Sequence, residues 1–235
     1  MRPTAIILAA GVGRRFGSAL AEKPKALLEV GGESLIGRLV RQLRAADVEE
    51  IVVVGGFGID HLRDALDERV EVLLNPDYRR GAILSLHTAR AFLDRPVLIM
   101  DADVFGPDEM MVRLVDSSHG NCFLLDGKAS ASGEEQMLHA RGERIWDIAR
   151  NPRGDYDLLG ESVGFLKLTQ EAAAVMLELL QARVDAGEVD LEHEEVYPDF
   201  LSRIVTGFER VDDLEWTEVD FPQDLERART LAKKN

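Results

Sequence analysis

The sequence predicts an α/β protein, a three-layer sandwich around a mixed, mainly parallel central sheet. Short apolar, β-branched runs alternate with helical patterns through the first hundred residues, the first of them ending in a glycine-rich loop. After residue 105 the rhythm changes to closely spaced strand patterns, as in a more antiparallel region. Strands alternating with helices imply right-handed βαβ units, whose parallel strands are covered on both faces and so read as continuous apolar runs.

Residues 5–8, Ala-Ile-Ile-Leu, are such a buried strand. Helical spacing over 35–45 precedes a second strand at 51–54, Ile-Val-Val-Val. A helix is expected at 60–67, a strand at 70–74, a helix at 85–93 and a fourth strand at 97–100 that ends in acid. In the second half, 121–125, 136–140, 144–148 and 162–168 read as strands, and the polar, turn-rich stretch 127–135 as a mobile loop. Residues 169–186 form an amphipathic helix with Ala172, Val175, Met176, Leu179 and Leu180 on one face, stopped by Gly187. Short strands at 207–211 and 216–219 lead to a closing helix over 221–232, with Pro222 suited to its first turn. No linker is evident, so residues 1–235 read as one domain, with about 106–218 as an embedded cap.

Composition narrows the function. The chain has 235 residues, 46% apolar, enough for one sizeable core. Its net charge of −15 repels nucleic acid and anionic membranes, so neither is an expected partner. The single cysteine, Cys122, lies in an apolar run and reads as a core residue. A reducing cytoplasmic location is the expectation. The apolar start is cut short by Arg14 and Arg15, and no stretch approaches the ~20 apolar residues of a membrane span.

Chemistry concentrates in three places. Leu8-Ala9-Ala10-Gly11-Val12-Gly13-Arg14-Arg15 leaves the first strand, where open α/β sheets bind ligands. Its small residues let the backbone approach a ligand and cradle phosphate oxygens. Arg14, Arg15, Lys23 and Lys25 against Glu22 make a +3 segment in an acidic protein, hence an anion site. Pro24 holds the backbone beside Lys25, which as a loop lysine is expected to bury little. The P-loop pattern is absent, and Phe16 stands where a dinucleotide fingerprint needs its third glycine. Second, Asp101 and Asp103 end the fourth strand on one face, where they can bind Mg²⁺ on a triphosphate. Third, Glu218-Val219-Asp220-Phe221-Pro222 places acids just before a helix. The five histidines lack metal-ligand spacing.

Leu-Ala-Ala-Gly-x-Gly-x-Arg with Pro-Lys-Ala-Leu resembles the signature of nucleotidyltransferases that activate sugar phosphates and phospho-alcohols. The resemblance implies a Rossmann-like fold of the nucleotide-diphospho-sugar transferase type. It implies that Leu8, Ala9, Ala10, Gly11 and Gly13, with Gly81 and Ser85, hold the nucleotide, that Arg15 and Lys25 stabilise phosphates, and that Asp103 and Asp220 hold Mg²⁺. Over nearly the whole chain the similarity is to bacterial phosphocholine cytidylyltransferases, through Asn75-Pro76-Asp77-Tyr78 before Ser85-Leu86 and the stretch 186–191. The implied acceptor site comprises Asp103, Arg153, Trp146 and Tyr197, with Arg150 an equal candidate beside Arg153. The chain departs from that group at Gly81-Ala82, in place of paired asparagines, and at Glu192 and His193, where aromatics would surround choline. Tyr156 and Trp216 are the other aromatics left for that role. Residues 81–86 also look somewhat like molybdopterin cytidylyltransferases.

The expected partners are therefore a nucleoside triphosphate, CTP favoured, and a small phosphorylated alcohol such as phosphocholine or an amino-alcohol phosphate or phosphonate; a homodimer is compatible with this. Alternatives are a sugar-1-phosphate or inositol-1-phosphate nucleotidyltransferase, a non-catalytic nucleotide sensor and a dinucleotide-binding oxidoreductase. The acidic run 188–195 reads either as a solvated helix face or as an amine-recognition surface.

Overall fold

A computed structural model describes the chain except residues 1, 21–22, 129–132, 134, 152 and 235. The strands are β1 (Thr4–Ala9), β2 (Glu29–Val30), β3 (Glu33–Ser34), β4 (Ile51–Gly55), β5 (Val70–Leu74), β6 (Val97–Asp101), β7 (Val104–Phe105), β8 (Cys122–Asp126), β9 (Met137–Arg141), β10 (Arg144–Ala149), β11 (Leu158–Leu168), β12 (Gly207–Arg210) and β13 (Thr217–Glu218). The α-helices are α1 (Leu35–Ala45), α2 (Ile59–Ala65), α3 (Ile83–Thr88), α4 (Asp108–Asp116), α5 (Gln170–Asp185), α6 (Tyr197–Arg203) and α7 (Pro222–Leu231).

The central sheet runs β10-β9-β11-β6-β1-β4-β5, with β8 and β12 joined to it through β11. Strands β6, β1, β4 and β5 are parallel, while β11 lies antiparallel to β6, β8 and β9. The class is therefore α/β with a mixed, mainly parallel core. Alternation along β1 explains the three layers. Ala5, Ile7 and Ala9 pack in one core with α1 and α4 residues such as Leu39 and Leu114, whereas Ile6 packs in a second core with Leu86 of α3 and Met176 of α5. Ser34 and Thr169 cap α1 and α5, accepting hydrogen bonds from Gly37 N (3.1 Å) and Ala172 N (3.3 Å).

Some boundaries differ from expectation. The expected helix at 85–93 divides into α3 and a 3₁₀ turn at Arg90–Phe92. Strand β11 starts at Leu158, earlier than the expected 162, because its first half pairs with β9. Helices α4 and α6 and the β2–β3 hairpin have no counterpart in the sequence pattern described above; α6 follows directly on the acidic run. Most of the loop expected at 127–135 lies outside the described residues. Among the described residues no helix is long and apolar enough to cross a membrane.

Two registers position the site. Leu8 of β1 lies opposite Asp101 of β6, so the glycine loop and the acidic strand end open on the same edge. Antiparallel pairing of β13 with β7, continued by Val219 N donating to Asp103 O (2.9 Å), draws Asp220 beside Asp103. Asp224 then accepts from Asp220 N (3.1 Å) and Phe221 N (2.7 Å) at the start of α7.

Candidate active site

Above the C-terminal ends of β1 and β6 lies a cleft of about 1150 Å³. The glycine loop forms one wall. Gly13 has φ +64°, and a Cβ there would lie 2.4 Å from Leu20 Cδ1 and 3.2 Å from Lys25 Cβ. Only glycine lets the loop lie this close to the lysine segment. Pro24 leads into a 3₁₀ turn at Lys25–Leu27, whose backbone holds Lys25 toward the acids.

Lys25 is the hub. Its Nζ lies 2.5 Å from Asp103 Oδ2 and 2.6 Å from Asp220 Oδ1, and Arg15 pairs with the other oxygen of Asp220. The Arg15 guanidinium also sits 4.7 Å from the Phe221 ring centroid. Burial pulls the Lys25 ammonium down, but the charges of Asp103 and Asp220 outweigh it and hold the group above its ordinary range. The lysine is not the solvated loop residue expected from sequence: its side chain is 15% exposed.

More acids crowd the floor. Ligand oxygens of Asp103, Glu218 and Asp220 lie within 4.8 Å of one another. Glu218 is exposed to the cleft as a residue, yet its carboxyl stands among protein atoms; burial, then Asp103 and Asp220, push it up to about 8. Burial, then Glu135 and Asp126, push Glu161 up to about 7. Asp103 Oδ1 is buried and accepts no hydrogen bond. A second group, Asp101, His193 and Glu194, lies at the same cleft. Burial and the nearby Glu194 hold the Asp101 carboxyl well above the usual range. The Trp216 indole donates to Asp126 Oδ2 (2.9 Å) on the far wall.

Residues 5–158 match the MobA-like NTP transferase domain. The chain belongs to that family. Other comparisons agree with the MobA-like fold. The chain is 28% identical over 233 residues, 97% of its length, to the bifunctional IPC transferase and DIPP synthase of Thermococcus kodakarensis, of which it spans 50%. It thus spans about half the length of that relative. Over 120 residues, 47% of this chain and 18% of the relative, it is 32% identical to the CMP-5'-(3-aminopropyl)phosphonate synthase of Streptomyces rubellomurinus. The structure of the CTP:phosphocholine cytidylyltransferase of Streptococcus pneumoniae superposes with a TM-score of 0.82 at 20% identity, covering 98% of this chain and 99% of that one, a likeness of fold.

The cleft gathers most of the residues singled out from sequence: Leu8, Ala9, Ala10, Gly11, Gly13, Arg15, Lys25, Ser85 and Asp103 of the matched stretch, and Asp220 beyond it, all line it. Ser85 is buried, its Oγ accepting from Asn75 Nδ2 (3.0 Å). Four others lie elsewhere. Gly81 faces the 189–191 backbone: its N donates to Val189 O, and a Cβ would fall 2.0 Å from Leu191 O. Its neighbour Ala82 lines the cleft instead. Tyr197 is a core residue, 3% exposed, packed between Phe123 and His193. Trp146 is half exposed on β10 under the Arg144 guanidinium, 4.0 Å from its ring centroid. Arg153 is exposed outside the cleft, whereas Arg150 lines it. Sequence reasoning missed Glu161 and Glu218 as site residues, and it did not join Asp101 to His193 and Glu194. Glu218 could have been found from its place two residues before Asp220, since alternate residues of an extended chain share a face.

Proposed function

We propose that the protein is a nucleotidyltransferase that moves a nucleotidyl group, CMP from CTP, onto the phosphate or phosphonate of a small alcohol derivative and releases pyrophosphate. One observation carries this reading: two cations, Arg15 and Lys25, and two acids, Asp103 and Asp220, are locked together at the mouth of the glycine loop. Such a set neutralises itself when empty and can exchange partners when a triphosphate and its counter-ion arrive.

The reaction needs no acid–base pair. An acceptor phosphate oxygen attacks the α-phosphorus in line, and pyrophosphate leaves. Rate then depends on positioning and on cations held where negative charge develops. Backbone N–H groups of residues 9–13 cradle the triphosphate, Arg15 faces the leaving phosphates, and Lys25 faces the α-phosphate and the incoming oxygen. Ala82 and Ser85 border the base, and residues 106–218 supply the acceptor half of the cleft. Arg150 is the cleft arginine suited to the acceptor phosphate.

Asp103, Asp220 and Glu218 fit a divalent cation, because three carboxylates converge and Asp103 Oδ1 is buried with no donor. Mg²⁺ bound there would neutralise triphosphate charge. The acidity of the cleft supports a small cationic acceptor over a neutral polyol, as does the aminopropyl group in the name of the phosphonate-synthase relative. Pyrophosphate release, screened over four nucleoside triphosphates and a panel of phospho-alcohols and sugar 1-phosphates, tests the reading. CTP with an amino-alcohol phosphate should give the highest kcat/KM. A sugar 1-phosphate better by tenfold or more, ~1.4 kcal/mol of transition-state preference, would overturn the acceptor class.

A further inference from the structure

The second cluster, Asp101, His193 and Glu194, is absorbed by no step above. Its three ligand atoms lie within 4.8 Å of one another at the cleft, one strand-end step from Asp103. His193 is 4% exposed, and its Nδ1 makes no hydrogen bond. Glu194 Oε2 approaches that nitrogen to 3.1 Å without making one, and Asp101 Oδ1 stands 3.9 Å from Nε2. A buried imidazole nitrogen that makes no hydrogen bond costs free energy that a ligand recovers by bonding to it. Lys25, whose charge acts on Asp101, is already held by Asp103 and Asp220.

Resting on the nucleotidyltransferase reading, we infer that Asp101, His193 and Glu194 bind the primary ammonium group of the acceptor. A primary ammonium carries three N–H donors, and the cluster offers two carboxylates and one imidazole lone pair as acceptors. A trimethylammonium group has no donor and binds through aromatic faces. Among the described residues, the ring packed on His193 is that of Tyr197, at 83° and 5.6 Å between centroids, and it is itself buried. Asp103 follows Asp101 by two residues, in the turn between β6 and β7, and both line the cleft, so a phosphate near Asp103 and an ammonium at the cluster belong to one short acceptor. The site therefore selects an unmethylated amino-alcohol phosphate or aminoalkyl phosphonate.

The test has a binding arm and a turnover arm, each run with MgCl₂ present. Calorimetric titration of the full chain with phosphoethanolamine, phosphocholine and the neutral n-propyl phosphate should show at least tenfold tighter binding of the primary amine than of either of the others. In Glu194→Gln and Asp101→Asn that preference should fall to threefold or less, and His193→Phe, which adds a ring face, should shift it toward phosphocholine. Equal affinity for the amine and the neutral phosphate in the wild type overturns the site, as does an undiminished preference in both acid variants. Pyrophosphate release from CTP is measured separately. A binding preference that persists with no release from any nucleotide defeats the transferase reading and leaves the ammonium site standing.

Discussion

At the scale of single residues, Lys25 balances the charges of Asp103 and Asp220, and the proposed reaction gives it a catalytic role as well. Lys25→Ala should lower kcat by at least ~10²-fold in a pyrophosphate-release assay, since one preorganised charge at a developing anion is typically worth that much. The same change removes the cation between Asp103 and Asp220. It should therefore also destabilise the metal-free protein, and Mg²⁺ should recover part of that loss; a melting temperature unchanged from wild type with and without Mg²⁺ would contradict the charge lock. Asp103→Asn removes one hard anionic ligand and should raise the Mg²⁺ concentration needed for half-maximal rate by tenfold or more. Full wild-type activity in EDTA would eliminate the proposed ion site.

At the scale of elements, the site depends on close backbone approaches. The turn before α3 lies against residues 189–191, with Gly81 N on Val189 O (3.1 Å) and Ile83 N on Leu191 O (3.1 Å). A methyl group at position 81 would meet backbone oxygen at 2.0 Å, and backbone cannot swing aside as a side chain can. Gly81→Ala should cost about 1–3 kcal/mol, the usual penalty of overpacking, and lower Tm by ~2–4 °C for each kcal/mol. Thermal denaturation checks this; an unchanged Tm would mean that the turn and the 189–191 segment separate easily. Gly164 solves a similar problem inside β11. Its φ of +81° marks the irregular pairing there, and a Cβ would fall 2.5 Å from Asp101 Oδ2, so the missing side chain makes room for that carboxylate.

At the scale of the whole molecule, the net charge of −15 is concentrated where it matters. Glu161 and Glu218 rise from an ordinary 4.5 to about 7 and about 8, because burial and neighbouring acids disfavour their charged forms. The folded state then binds these protons more tightly than the unfolded chain. Their contribution to stability is fully present below about pH 4.5 and is lost as pH rises through 7 and 8. Denaturation of the metal-free protein should accordingly show stability declining over this window, with Glu161→Gln flattening the decline. Mg²⁺ with CTP should restore stability at pH 8 in proportion to the logarithm of ligand concentration. A slope that Glu161→Gln leaves unchanged would remove Glu161 as its source.

Much of this was legible in the sequence because it is local. Strand β1, its glycine loop and Lys25 are contiguous, and apolar runs broken by glycine and charge report burial and loop directly. Asp101 and Asp103 announced themselves as acids ending an apolar strand, and Asp220 as an acid before a Pro-started helix. What escaped was set by chain crossings that no local pattern encodes. Trp146 and Tyr197 are plausible ligand aromatics by type, but strand alternation turns Trp146 outward on β10 and the packing of α6 buries Tyr197 in the core. Gly81 was read as a ligand-facing glycine, yet its missing side chain makes room for another stretch of backbone. His193 and Glu194 lay inside an acidic run that reads equally as solvated surface, and only the fold brings them to Asp101. The sequence by itself determined the fold class and pointed to the glycine loop, the cations and the acids that the cleft gathers, because those depend on short-range polarity and small side chains. Tertiary structure alone decided which acids share a floor, which cation sits between them and what faces the acceptor, because Coulomb energies depend on distances that only packing of remote segments sets.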